Sequence, residues 1–338
     1  MFIYDSEISI RKPPINLARN DDHLFVSEYL KIIGPSFFRK MTDVTIFDDK
    51  IVNCNPVRLA SGPDGFDSYD QILIDAGLIS KVNHKIKRFS AVFLPKLRLN
   101  SGLWVINHWS HGYFHWITES LAKISILHGI NNDVKVLLPS NYQEHKFIRQ
   151  SLDFLKIEYS FLPLNRLTYV TDLYLGHFAY TSGNYSYLMM RNLAEKFNSR
   201  RKHVSNPRRR IWVSRDLAQK RSIENESQLY PILLKYGFEI LTLEKYTFSE
   251  QVDICQSSEI LAGLHGAGLT NMMFMPRGGK VIEIRRGGDD HSNCYFSLAS
   301  IMDHKYYYVL ADPLSSDLHQ GNCILDPEHL EQLLRANI

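Results

Sequence analysis

Residues 258–284, SEILAGLHGAGLTNMMFMPRGGKVIEI, carry the pattern around which the rest of the chain falls into place. An apolar run at 260–264 has strand length. The turn His265-Gly266-Ala267-Gly268 follows, and 269–275 keeps helical spacing until Pro276, with Gly278 and Gly279 as further stops. A second strand at 280–284 brings Glu283 near its carboxyl end. Strand, glycine-rich turn and helix together make a device for anions. The glycines let backbone approach a ligand closely, and the first unbonded N–H groups of a helix carry partial positive charge. For these residues alone, a tight βα turn around a buried histidine is the plainer alternative.

Working outward, the downstream half restarts a clean strand–helix alternation after Pro207. The pattern predicts strands at 211–214 and 238–243, with a helix over 225–236 between them, opened by Asn225 and stopped by Gly237. Thr247 and Glu250 have capping-box spacing at the head of a helix running to Cys255. A helix over 294–302, a strand at 305–310 and a last helix from Pro327 complete this half. Upstream, strands are expected at 71–75, 91–94, 103–107, 134–138, 158–162 and 168–175, and helices at 113–128, 142–155 and 185–201. Residues 1–70 are broken by prolines into short pieces. The alternation implies α/β layers with mostly parallel sheets.

The totals bound the class of protein. The 338 residues suit two domains of ordinary size, and 44% apolar with 22% charged residues is a soluble globular composition. A net charge of +3 gives no indication of nucleic-acid binding. The basic residues are clustered at 200–203 and 208–210, which read as a solvated linker or as a patch facing an anionic membrane surface or a phosphate-bearing substrate. Cys54, Cys255, Cys294 and Cys323 lie far apart with no C-x-x-C pair, which fits a reducing compartment. No signal peptide and no apolar run of membrane-spanning length are visible, so a cytoplasmic protein is expected, at most peripheral to a membrane through 200–210.

Residues suited to chemistry gather at predicted strand ends. Arg215 follows the strand at 211–214; Arg221 and Asn225 complete an R-x5-R-x3-N spacing into a helix start; His265, Gly266 and Glu283 sit at the ends of two further strands. In a parallel sheet these ends share one edge. Guanidiniums match phosphate oxygens, and a carboxylate at a strand end suits ribose hydroxyls, so the set describes a nucleoside-diphosphate site. Surface ion pairs of Arg215 and Arg221 with Asp216 or Glu224, and an edge position in solvent for Glu283, are the alternatives. A second constellation is NHWSHGYFHWITESL at 107–121, where His108, His111, His115 and Glu119 are spaced three, four and four apart and share a face wherever the segment is helical. It reads as a metal site, as a general base built on Glu119 beside His115, or as a surface pair.

Four ordered stretches resemble family 61 glycosyltransferases: YFHWITESLAKI at 113–124, SRD…RSIENE at 214–226, the run 237–275 and VIEI at 281–284. The resemblance implies a GT-B fold of two Rossmann-like domains facing a cleft. It divides the chain into an acceptor-side domain at 1–205, a nucleotide-sugar domain at 206–325, and a helix at 326–338 that could pack back on the first. It implies an inverting transferase moving a sugar from a nucleotide donor, UDP-linked by preference, to a hydroxyl of a glycan or lipid-linked glycan in surface-polysaccharide or capsule synthesis. Arg215 and Arg221 would face the diphosphate, with His265, Gly266, Ala267, Gly268 and Asn271 beside it. Asn225 would support the loop, and Glu283 would hold the ribose. Glu119 is the first choice of base, then His115 and His265. No cofactor or metal is expected, since no D-x-D motif stands in the chain. Two other functions stay open: a metal-dependent hydrolase using His108, His111, His115 and Glu119, and a non-catalytic nucleotide-sugar-binding partner.

Overall fold

A computed structural model of the chain describes residues 2–55, 94–130, 132–178, 182–200, 206–217, 220–317 and 321–338. The strands expected at 71–75 and 91–94 lie outside these residues but for Leu94. The chain divides into two compact units, one of residues 1–6 and 34–179, the other of 7–33 and 180–338.

The first unit is built on β1 (Phe2–Tyr4), β4 (Ser36–Phe47), β5 (Lys50–Asn55), β6 (Leu97–Trp104), β7 (Val136–Pro139), β8 (Tyr159–Leu162) and β9 (Leu167–Phe178), while the antiparallel pair β2 (Glu7–Ile10) and β3 (Leu30–Ile33) belongs to the second. Its sheet runs β1-β4-β9-β6-β7-β8, with β5 on β4. Strands β6 to β9 pair in parallel, whereas β4 is antiparallel to β1, β5 and β9. The sheet is therefore mixed, where the alternation implied a mostly parallel one. The reason is β4 and β5, which Asp48 and Asp49 join as a hairpin; antiparallel neighbours need no crossover helix and leave no βαβ signature. The principal helix, α1, is continuous from Tyr113 and is made of Tyr113–His115, a π-helical turn Trp116–Ser120 and Leu121–Ile130. The next, α2 (Lys146–Leu155), buries Ile148, Ser151, Leu152 and Leu155 on one stripe and ends at Lys156 in the left-handed region. Trp116, fully buried, donates its indole N–H to Ser151 and fixes α1 on α2.

The second unit holds β10 (Arg209–Val213), β11 (Phe238–Leu241), β12 (Ser258–Leu264), β13 (Lys280–Arg286), β14 (Lys305–Pro313) and β15 (Cys323–Ile324) in the order β11-β10-β12-β13-β14-β15. All neighbours from β11 to β14 are parallel, and only β15 is antiparallel. Numbered along the chain this is a 2-1-3-4-5 doubly wound order, whose direction of winding reverses between β10 and β12. The helices are α3 (Tyr187–Asn198), α4 (Glu226–Lys235), α5 (Phe248–Gln256), α6 (Cys294–Ile301) and α7 (Pro327–Asn337). Thr247 and Glu250 form the expected capping box on α5. The segment expected as a helix at 269–275 is instead the 3₁₀ helix Ala267–Phe274.

Packing explains why this unit reaches beyond 206–325. Phe197 of α3 meets Phe248 and Phe274 with ring centroids 5.7 and 4.8 Å apart, which ties α3 to one face of the second sheet. Phe25 packs at a tilt against Phe296 and Tyr308, with centroids 5.0 and 5.1 Å away, and Asn16 both donates to and accepts from the backbone of Tyr308, so residues 7–33 cover the open edge of β14. A boundary drawn at Pro207 misses both, since neither leaves a composition signal. Leu330, Leu333 and Leu334 of α7 join Leu229 and Leu233 of α4 in the core on the other face, so the helix at 326–338 packs within its own unit.

Candidate functional site

The carboxyl ends of β10, β12 and β13 converge at the switch point of the second sheet. Arg215 lies two residues past β10, His265 and Gly266 directly follow β12, and Arg286 is the last residue of β13. Position is fixed from below by Glu226, in the first turn of α4, which accepts from Trp212 Nε1 at 2.7 Å and Ser214 Oγ at 2.9 Å. Burial pushes the Glu226 carboxyl up from its ordinary range.

Arg215 donates from Nε to Arg221 O at 2.6 Å and from Nη2 to Lys220 O at 3.0 Å, which pulls the loop back against its guanidinium. Arg221 takes a left-handed backbone, φ 59°, to offer that carbonyl. Among the described residues no salt bridge joins Arg215, Arg221 or Arg286 to a carboxylate, so the pairings with Asp216 or Glu224 do not form. Arg286 instead donates to Gly321 O at 2.6 Å. Burial holds the Arg215 guanidinium below its ordinary value, and Arg221 and Arg286 push it the same way. Arg286 is likewise lowered, by burial first; Asp289 opposes the shift and Arg221 adds to it. Three guanidiniums thus lie at one sheet edge without an ion pair to a carboxylate among the described residues, with Glu244 and Asp289 as the more distant acids.

The glycine turn is shaped around Arg215. A Cβ on Gly266 would stand 2.2 Å from Arg215 Nη1, and one on Gly268 2.7 Å from Val213 Cγ1. Ala267 opens the 3₁₀ helix. Asn271 is buried and donates to Gly268 O at 3.1 Å and to Gln251 Oε1 at 3.3 Å, so it holds the turn closed from behind. Asn225 clamps the backbone of Leu325 from both sides, at 2.8 and 3.0 Å, and thereby anchors the segment leading to α7.

Glu283 is not at a strand end. It is the fourth of seven residues in β13, wholly buried, and both of its oxygens are engaged inside the protein. One faces His265 Nδ1 and the other accepts from the Tyr306 hydroxyl. Where a ribose was expected on this carboxylate, the structure gives it a histidine to hold. Tyr295 packs edge-on against His265, with centroids 4.8 Å apart. Burial raises both Tyr295 and Tyr306 well above the ordinary phenol value, so each is a neutral hydroxyl.

In the first unit, His115 Nδ1 lies 2.8 Å from Glu119 Oε1 across the π-helical turn, and Asn107 donates to Glu119 Oε2 at 3.3 Å. Glu119 is 7% exposed, so this is a sheltered pair, not one on the helix surface. Trp109 stacks on the His115 ring at 5.7 Å and 27°. A π-helical turn is rare in general and recurs at functional sites. His108 and His111 lie in the turn before α1 begins, off the face of His115 and Glu119, with rings 6.3 Å apart. Among the described residues no group of three or more His, Cys, Asp or Glu side chains is placed to hold a metal, so the geometry does not carry the hydrolase alternative. Of the basic run at 200–210, Arg209 and Arg210 are paired with Glu239 and Glu259, and 201–205 lie outside the described residues. No helix among the described residues is long and apolar enough to cross a membrane.

Arg286, Tyr295, Tyr306 and Asn107 escaped the sequence reading. The doublet Arg285-Arg286 directly after VIEI was the available signal: extending that strand by two residues puts Arg286 at the same edge as Arg215.

Comparison with known proteins adds an independent line. A family model described as Glycosyltransferase 61 matches residues 113–282. The EGF domain-specific O-linked N-acetylglucosamine transferase of Drosophila melanogaster is 30% identical over 97 residues, 28% of this chain and 18% of that protein. The human protein O-linked-mannose beta-1,4-N-acetylglucosaminyltransferase 2 is 34% identical over 134 residues, 38% of this chain and 23% of that protein. The matched part thus spans about a fifth of these relatives' length.

Proposed function

Since the chain belongs to the glycosyltransferase 61 family, we propose that it transfers a sugar from a nucleoside-diphosphate donor, UDP-linked, to a hydroxyl of a glycan acceptor, with inversion at the anomeric carbon. The names of the relatives favour an N-acetylhexosamine as that sugar. One observation carries the reading: Arg215, Arg221 and Arg286 gather, with no carboxylate ion-paired to them among the described residues, at the switch point of a doubly wound sheet, beside a glycine turn. Ligands of such sheets bind outside the carboxyl ends at the switch point, and guanidiniums are the preferred partners of phosphate.

In this reading the acceptor oxygen forms its bond to the anomeric carbon as the bond to the donor phosphate breaks, with the electron pair leaving on the phosphate oxygen. Arg215, Arg221 and Arg286 meet that charge, without a metal ion. The acceptor proton goes to Glu119, whose carboxylate is kept in place by His115 and Asn107. The GT-B arrangement, a glycan or lipid-linked acceptor of a surface polysaccharide and a cytoplasmic location belong to the same proposal.

Calorimetric titration with UDP, GDP and CMP, followed by a hydrolysis and transfer screen with their sugars, tests it. Binding of one nucleotide in the micromolar range and turnover of its sugar are expected. Binding of none of the three, or a Kd unchanged in Arg215→Ala, overturns the reading.

A further inference from the structure

Of the two ring nitrogens of His265, Nδ1 alone has a hydrogen-bond partner among the described residues. It faces the wholly buried carboxylate of Glu283, and the second oxygen of that carboxylate is occupied by the Tyr306 hydroxyl. Since the carboxylate only accepts, Nδ1 carries the proton, and Nε2 is the atom left to the site. No hydrogen bond to Nε2 is made among the described residues, and the His265 side chain is 14% exposed, directly before the glycine whose Cα lies against Arg215. This is the arrangement by which a buried acid orients an imidazole and stabilises its charged form.

We propose that His265, oriented by Glu283 and Tyr306, takes up a proton at Nε2 when the diphosphate binds and donates it in a hydrogen bond to a phosphate oxygen. The inference rests on the donor site described above and adds to it a positioning chain, Tyr306–Glu283–His265, and a change of charge on binding. The proton comes from solvent, one per site at most, and no other bond is made or broken in this step. The groups around the ring favour that outcome in the bound state. Glu283 on β13 and Asp289 past its end are the acids, and Tyr295 on α6 is a neutral wall. Arg215 beyond Gly266 and Arg285, which bears on Glu283, are the opposing cations. In the empty site Arg215, Arg221 and Arg286 oppose a further positive charge beside them. A bound diphosphate neutralises them and brings an acceptor oxygen, so the balance shifts toward imidazolium on binding.

Titration of the full chain with UDP at pH 7.5, in two buffers of different ionisation enthalpy, counts the protons directly. Net proton uptake, of at most one per UDP, is expected and is read as a binding enthalpy that differs between the two buffers. His265→Asn and Glu283→Gln should each bind UDP with heats that no longer depend on the buffer, and with Kd raised about tenfold. Tyr306→Phe should keep binding and reduce the uptake. A wild-type enthalpy that is the same in both buffers overturns the inference while leaving the donor site standing. So does an unchanged uptake in His265→Asn, which removes the titrating group at a partly exposed position. Absence of UDP binding altogether overturns the donor site and the inference with it.

Discussion

The two constellations of polar residues solve opposite electrostatic problems. At the edge of the second sheet, Arg215 and Arg286 donate to backbone carbonyls beside Arg221, and among the described residues no carboxylate is ion-paired to any of the three. On α1 of the first unit, Glu119 is buried with a histidine on one oxygen and an amide on the other. The first is a charge waiting for its counter-charge, and its energy changes when an anion arrives. The second is an acid already satisfied, whose environment is set before any ligand is present. A binding function follows from the former and a proton-handling function from the latter, which is why their loss should be felt in different constants.

The sharpest way to break this contrast is to remove each side in turn. Glu119→Gln keeps the shape and the Asn107 contact but cannot accept the acceptor proton. A fall in kcat of about 10²–10⁴-fold is expected, with the Kd for UDP unchanged within about twofold. A comparable loss in Kd would mean that Glu119 serves binding, and the contrast would fail. Arg215→Ala should do the reverse. Charge-assisted hydrogen bonds are worth about 1.5–3 kcal/mol, so the Kd for UDP should rise about 10- to 150-fold, measured by calorimetry at fixed salt. Gly266→Ala sharpens the point without deleting any charge. The new Cβ displaces Arg215 Nη1, the far end of a flexible side chain, so the fold can yield cheaply while the guanidinium is re-aimed. About a tenfold weaker Kd with Tm held within about 1 °C is expected; an unchanged Kd would show that the aim of Arg215 is immaterial.

How far the sequence announced these features depends on whether they are local. Arg215, His265 and Gly266 were legible, because a strand followed at once by a chemically loaded turn is a contiguous pattern. The capping box at Thr247 and Glu250 was legible for the same reason. Glu283 was found but misread. All seven residues of β13 are sheltered, so VIEI has no alternation from which to infer that Glu283 points inward, and ending the strand at 284 put it too near the edge. The same shortening hid Arg286. Tyr306 lies 23 residues from Glu283 and Asn107 lies 12 from Glu119, and only the tertiary fold brings either pair together. Phe197 and Phe25, which tie α3 and residues 7–33 to the second unit, are ordinary apolar residues in sequence; what assigns them is the ring packing on Phe248, Phe274 and Phe296.

A last test compares histidines, since the contrast between paired and unpaired polar groups extends to them. His115 and His265 each have a carboxylate at Nδ1, whereas His304 is buried with only a carbonyl, donating from Nε2 to Met272 O at 2.9 Å in the 3₁₀ helix behind the glycine turn. Burial lowers His304 to about 4, and the Met272 bond and Asp303 only partly oppose it. The folded state thus binds fewer protons than the unfolded state between about pH 4 and 6.5, and stability falls as the pH falls through that window. From pH 7 to pH 6 the loss is on the order of 1 kcal/mol or less, which corresponds to about 1–2 °C in Tm for a chain of this size. His304→Gln can keep a donor for Met272 O but does not titrate, so its Tm should change less than the wild type's over the same pH step, by about that amount. Calorimetric scans at pH 7 and pH 6 decide it. Equal changes for the two proteins would mean that His304 is hydrated or paired in solution and that burial without a carboxylate does not set its charge.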